Sequence, residues 1–395
     1  MENKETRFVY ADNAATTPVS REVIAEMAPV FECAWGNPSS QHSKGYEAKA
    51  LLDGARERIS KVFNCLPTEI YFTSCGTEAD NWAIKGCAQR MMKKGRTHIV
   101  TTKIEHPAVL NTCRALEKQG FTVTYVGVDS DGVVLLDELE AAVTENTALV
   151  CVMYANNEIG TIQPIERVCE IAHAKGALMF TDAVQAIGNV DIDLSKLKVD
   201  MLALSGHKIH APKGVGMLFV RKGVVIGNLI DGGGQEKRKR AGTENVPYIV
   251  GLAKALEIAQ ARIPELPSVI EKRDRLIEGL TKIPYSKLNG HRVDRLAGNV
   301  NVGFECIEGE SILMFLDMAG ICASTGSACS SASLEPSHVL LAIGVPHEKA
   351  HGSIRLSISH ETTDEDVDYI LETLPPIVER LRNMSPLWEE IIKNN

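Results

Sequence analysis

The sequence predicts an α/β fold, a mostly parallel sheet of seven strands with helices on both faces, followed by a smaller α+β domain. Three observations predict it. Apolar runs alternate with helical patterns from about Thr68 to Arg221. Several of those runs are apolar throughout, as strands covered on both faces are. After about Gly251 the rhythm changes, and a long helical stretch leads into a different pattern.

The seven strand-like runs are EIYFTS, THIVTT, TVTYVGV, ALVCVMYAN, ALMFTDA, DMLALSG and GMLFVR. Between them, Trp82, Ile84, Cys87, Ala88 and Met91 fall near helical spacing, and so do Val109, Leu110, Cys113 and Leu116. The stretch from Gly251 to Thr281 reads as helix interrupted by Pro264 and Pro267, the connection to the second domain. That domain is expected to hold strands near AGNVNVGF, ICAS and GSIRLSIS and helices near SILMFLDM and DEDVDYILETL. The boundaries expected are 15–260 for the large domain, with 1–14 and 261–395 forming the small one. A Ser-, Ala- and Gly-rich segment, about 322–337, reads as a mobile loop.

At 395 residues the chain is too long for one compact core, in keeping with two domains. A formal net charge of −9 argues against a general nucleic-acid binder. The basic run Lys237 to Arg240 reads as a solvated loop. The polar start, MENKETRFVYADN, lacks an apolar signal core, and no run is long enough to span a bilayer, so a cytoplasmic protein is expected. The ten cysteines are scattered and form no C-x-x-C pair, so reduced thiols, mostly small core residues such as Cys113 and Cys151, are expected.

Ligands of such sheets sit at the carboxyl ends of the strands. Five features of the sequence fall there. In EIYFTSCGTEADN a strand ends, glycine follows and a helix begins, so Gly76 and Thr77 could cradle a phosphate. An ordinary N-cap would look the same. Asp182 follows a wholly apolar strand, where a carboxylate is costly unless paired. A pyridinium nitrogen would pair it, and Gln185, three residues on, could reach a ring hydroxyl. Lys208 stands 26 residues after Asp182, behind another apolar strand, with Ser205 and His207 beside it for phosphate oxygens. His106 precedes Pro107 at a helix start and could stack on a ring and move protons. Asn157, in ANNEIG, could bond cofactor or substrate. Together the five point to pyridoxal phosphate bound through a lysine.

These residues lie in segments that resemble the cysteine desulfurases of the NifS and IscS type, in the class V aminotransferase family of fold-type I, aspartate-aminotransferase-like pyridoxal-phosphate enzymes. The matching segments are YADNAATTPV, GNPSSQHSKG, FTSCGTEADN, EHPAVL, NNEIGTIQ, TDAVQAIG, SGHKIHAPKGVG, GGGQEKRKRAGTEN, STGSACSSASLEPSHVLLAIG and SIRLS. They run in the family's order from about Tyr10 to Ser357. The resemblance implies removal of sulfur from L-cysteine, leaving alanine, with Lys208 as the Schiff-base lysine and His106 stacked on the ring. It implies that Asp182 pairs with the ring nitrogen, that Gln185 meets the ring hydroxyl, and that Thr77, Ser205 and His207 hold the phosphate. Thr243 would reach the phosphate of a neighbouring subunit, which implies a homodimer with shared sites. Asn157, Arg355 and Asn37 would bind substrate, Arg355 through the carboxylate. Cys329 would carry the persulfide to a sulfur-acceptor protein such as an iron–sulfur scaffold, its long loop placing the chain in the first of the family's two groups. Cys75 stands where glycine is more frequent in the family, and His210 where an aromatic is common.

The chemistry suits these parts. A thiolate is needed to attack the substrate sulfur, because a thiol is a poor nucleophile. A Ser- and Gly-rich loop lets Cys329 reach the cofactor and then an outside acceptor. In GSIRLSIS, Ile354, Leu356 and Ile358 alternate toward the core and leave Arg355 on the other face, where a guanidinium can clamp a carboxylate. Cysteine spacing offers no metal site, and Cys329 is retained only as a transient ligand to a cluster during transfer. Two other readings stand beside this one. An aminotransferase or selenocysteine lyase would not need Cys329. A docking adaptor for acceptor proteins would not need Lys208, His106 and Asp182.

Overall fold

The computed structural model describes residues 7–325 and 335–394. Its described strands, in chain order, are β1 (Val9–Tyr10), β2 (Ile70–Thr73), β3 (His98–Thr102), β4 (Thr122–Val126), β5 (Thr147–Cys151), β6 (Leu178–Asp182), β7 (Met201–Ser205), β8 (Gly216–Val220), β9 (Ser286–Leu288), β10 (Asn299–Phe304), β11 (Ile321–Cys322) and β12 (Ser353–Ser357).

Seven of these form the main sheet, in the order β2-β8-β7-β6-β5-β3-β4. Each coincides with one of the apolar runs read from the sequence. All pairs are parallel except those of β8, which runs against both β2 and β7. Every residue of β3, β5, β7 and β8 is buried, because helices cover both faces. Only the edge strand β4 alternates between exposed and covered positions. Separate apolar clusters fill the two faces, one centred on Trp82 and Phe180 and one on Ile59, Phe72 and Leu202.

A smaller sheet, β12-β10-β9, is antiparallel, and β1 pairs in parallel with β11 beside it. Val9, Ala11, Val302, Ile354, Leu356 and Ile370 share its core. The short strands β1 and β9 carry too few apolar residues to be read from sequence. The connecting helices are Val246–Ala261 and Leu266–Leu280, with Pro264 in the tight turn between them and Pro267 in the first turn of the second, where a missing N–H costs nothing. The helix Asp364–Asn383 runs through Pro375 and Pro376, beyond the DEDVDYILETL pattern. Leu374, Val378 and Arg382 keep its inner face packed, and Arg382 donates to the carbonyls of Pro284 (2.7 Å) and Tyr285 (3.0 Å).

In the basic run Lys237 and Arg238 are exposed, as a solvated loop would be, but the run is also tied to neighbouring segments. Glu236 holds a left-handed backbone (φ 44°) and buries its carboxylate, which accepts from Arg56 (2.6 Å) and from the Phe72 N–H (3.0 Å). With Glu236 anchored, Lys237 donates to the Thr68 carbonyl (2.8 Å) and Arg240 pairs with Glu78 (2.7 Å).

The nine described cysteines are all free, as expected of reduced thiols. Burial pushes the thiols of Cys87, Cys113 and Cys169 up to about 12, which makes them inert packing groups. No helix among the described residues is long and apolar enough to cross a membrane.

Candidate active site

The carboxyl ends of β2, β3, β5, β6 and β7 face one cavity of about 310 Å³. It is lined by Gly76, Thr77, His106, Asn157, Asp182, Gln185, Ser205, His207, Lys208 and Arg355, ten of the residues singled out from the sequence. β8 runs the other way, which keeps the end of β2 at the same sheet edge as the end of β7: Thr73 and Ser205 are both paired with Gly216.

The helix Gly76–Met92 starts directly behind β2, and the Cys75 sulfur caps it by accepting from the Glu78 N–H at 3.4 Å. Cys75 therefore does the work of a serine N-cap. A Cβ on Gly76 would stand 2.9 Å from Val184 Cγ2 and 3.3 Å from Ser205 Cβ. Only glycine brings the helix N-terminus this close to the ends of β6 and β7. Ser205 is buried, and His207 bonds Thr16 Oγ1 through Nδ1 (3.1 Å). Burial, with Lys208 and Lys213 nearby, pushes His207 down to about 4, so it is neutral at physiological pH.

Asp182 ends β6. Its Oδ1 accepts from the Val184 N–H at 2.9 Å. Burial pushes the carboxyl up, while His106 and Lys208 draw it back. Lys208 donates to the carbonyls of Ala14 and Ala15, both at 2.7 Å, and Gln185 donates to Ala14 at 3.0 Å. The N-terminal segment thus folds over the lysine. His106 caps the helix Pro107–Glu117, its Nδ1 accepting from Ala108 N–H at 3.1 Å. This puts the ring proton on Nε2.

The Asn156–Asn157 pair divides its work. Asn156 Oδ1 accepts from the N–H groups of Glu158 (2.8 Å) and Ile159 (3.0 Å) and builds the turn, which leaves Asn157 at the cavity wall. Arg355, 2% exposed, donates to the Asn157 carbonyl and to Asp12 Oδ1, both at 3.0 Å, and its Nε has no hydrogen-bond partner among the described residues.

Two nominated residues lie away from this cavity. Asn37 is exposed, and its Oδ1 accepts from Ser39 N–H. Thr243 is exposed as well. Cys329 lies outside the described residues. His210 has a left-handed backbone (φ 63°), with its N–H donating to Thr17 Oγ1 at 2.8 Å. Three ionisable cavity residues were missed in the sequence: Asp80, Glu158 and His338. Asp80 is an acid amid apolar helical positions, one turn beyond Gly76, which is the signal that could have found it. Glu158 adjoins Asn157, is pushed up to about 7 by burial, and bonds Ser337. His338 bonds the Glu105 carbonyl at 3.0 Å.

The aminotransferase class-V family model matches residues 9–370. A protein of Methanosarcina thermophila named cysteine desulfurase IscS is 57% identical over 384 residues, 97% of this chain and 95% of its own length. One of the same name from Clostridium botulinum is 54% identical over 390 residues, 98% of each. A solved structure described as a NifS-like protein superposes with a TM-score of 0.90 at 43% identity, covering 95% of this chain and all of that one. Fold and site thus define a class-V aminotransferase, a pyridoxal-phosphate enzyme of fold type I. Within that class the chain belongs to the cysteine desulfurase family.

The cavity fits pyridoxal phosphate. The opening at Gly76 exists because that residue has no Cβ, and the N-terminal N–H groups of its helix suit a phosphate. Asp182 is a buried acid placed to meet a ring cation. A Gly76→Ala variant should lose about 10- to 100-fold in cofactor affinity, the cost of forcing a methyl into a packed contact. An absorbance titration of cofactor-free protein measures this, and unchanged affinity would show that the helix start does not approach the phosphate.

Proposed function

We propose that this pyridoxal-phosphate-dependent cysteine desulfurase holds its cofactor through Lys208, Asp182, Gln185, Gly76, Thr77, Ser205 and His207, with His106 over the ring, and collects the sulfur of L-cysteine on Cys329. The convergence of Lys208, Asp182 and His106 on one cavity behind the Gly76 helix start carries this reading. When bound, pyridoxal phosphate supplies the sink for the electron pair released at the amino acid Cα. Asp182 holds the ring nitrogen proton. Lys208, at the end of β7, moves the Cα proton. His106, whose Nδ1 accepts the Ala108 N–H, would serve proton transfer from the cavity wall. Arg355 and Asn157, both at the cavity wall, orient the substrate carboxylate.

The Cys329 thiolate attacks the substrate sulfur. An S–S bond forms as the Cβ–S bond breaks, and the three-carbon remainder takes up a proton and leaves as alanine. Cysteine plus enzyme thiol thus gives alanine plus enzyme persulfide with no outside oxidant. The persulfide passes to a sulfur-acceptor protein such as an iron–sulfur scaffold, with Cys329 as a transient cluster ligand during transfer.

We read the enzyme as a cytoplasmic homodimer in which Thr243 serves the partner's phosphate. Thr243 and Asn37 are exposed and away from their own cavity, and Phe31, Trp35 and Tyr46 leave apolar surface nearby in the chain, all of which supports an interface there. The division at 15–260 against 1–14 and 261–395 is supported by the separate apolar core around Val302 and Ile370.

The test is incubation of purified enzyme with L-cysteine and no reductant, with alanine quantified and persulfide mapped by mass spectrometry. Wild type should carry one persulfide on Cys329, and Cys329→Ala should form neither persulfide nor alanine beyond background. Full activity in Cys329→Ala would overturn the persulfide route and favour a lyase or an aminotransferase.

A further inference from the structure

Asp80 has no role in the chemistry above, yet it lines the same cavity and is 1% exposed. Its Oδ1 has no hydrogen-bond partner among the described residues. A carboxylate oxygen of Asp80, one of Asp182 and a ring nitrogen of His106 lie within 4.8 Å of one another. Two carboxylates this close in a protein interior do not both ionise.

The surroundings decide which one keeps the proton. Asp182 has the Val184 N–H on Oδ1 and the nearby His106 and Lys208, all of which favour its charge. The groups that act on Asp80 are Asp182, Glu105 and Cys75, and with burial they all push its carboxyl up. Glu105 adds a third buried acid. Burial pushes it up to about 8, although Met153 N–H and the Thr102 hydroxyl both donate to it.

We propose that Asp80 is a buried neutral carboxylic acid that positions Asp182, so that the cavity floor presents its negative charge on Asp182, where the ring nitrogen meets it. Asp80 is then a positioning residue that acts through Asp182. This rests on reading the cavity as the cofactor site.

The experiment compares holoenzyme of wild type, Asp80→Asn, Asp80→Ala and Glu105→Gln by infrared spectroscopy and by pH titration of the cofactor's visible band. Near neutral pH the wild type should show a protonated-carboxyl stretch that Asp80→Asn and Glu105→Gln each weaken but do not abolish. Asp80→Asn, a neutral isostere, should keep the pH midpoint of the band. Asp80→Ala should lose about 10-fold in cofactor affinity, and Asn at the same position should restore it. A spectrum unchanged by Asp80→Asn, together with a midpoint moved by about one pH unit, would show that Asp80 is an anion and overturn the proposal. Equal cofactor affinity in wild type and Asp80→Ala would also overturn it. If Asp80→Asn does not fold, the wild type and Glu105→Gln decide. A protonated-carboxyl band in Glu105→Gln that survives to mildly alkaline pH supports a neutral Asp80, and its absence overturns it. Failure of the cofactor reading is seen separately, as wild type that does not retain pyridoxal phosphate.

Discussion

Lys208→Ala is expected to lower turnover of L-cysteine at least about 10³-fold, within the range that positioned acid–base groups contribute. Lys208 lies just beyond β7 and directs its amine to the Ala14 and Ala15 carbonyls at 2.7 Å, in the cavity that Gln185 and Asp182 also line. On the proposed reading, alanine at this position removes both the covalent hold on the cofactor and the group that moves the Cα proton. Among the described residues, no other lysine lines the cavity. Borohydride reduction followed by peptide mapping gives a readout apart from rate. Wild type should carry the pyridoxyl mass on the Lys208 peptide, and the variant should carry none. A variant within tenfold of wild-type activity would remove Lys208 from the mechanism.

The second large effect concerns stability. Glu236→Ala should destabilise the fold by about 3–5 kcal/mol, the range for removing one partner of a buried ion pair. The Arg56 and Glu236 side chains are 11% and 2% exposed and meet at 2.6 Å. Arg56 also donates to the Ile70 carbonyl at 2.6 Å and lies over the Phe72 ring at 4.4 Å. Without Glu236 the guanidinium keeps its burial and loses its counter-ion, and the Phe72 N–H of β2 loses an acceptor. Denaturant unfolding measures the loss. Replacing both residues with apolar side chains should recover part of it, because the stranded charge is then gone. If Glu236→Ala costs less than about 1 kcal/mol, the pair behaves as an exposed one.

Much of this enzyme is legible in one dimension. The seven strands of the main sheet are apolar runs of the right length, because a strand covered on both faces has no room for a polar alternation. The proposed cofactor residues follow those strands directly, so the carboxyl-end rule for ligands in such sheets places them together. Asp182, Lys208 and Gly76 were each ambiguous alone and persuasive only as a set at one edge. Arg355 depended on the family resemblance, since strand alternation shows which face it takes but not what it meets.

What the sequence determined by itself was the α/β class, the order of the strands along the chain and the chemical groups delivered to one sheet edge, because those depend on local periodicity and on the residue that follows each strand. What only the tertiary structure decided came from contacts between distant segments. The reversal of β8, the docking of the basic run through Glu236, the folding of Ala14 and Ala15 over Lys208, and the placement of Asp80 against Asp182 all join residues remote in the chain. Local propensity carries no signal for such pairs, since the free energy of a buried charge or acid is set by what surrounds it in space.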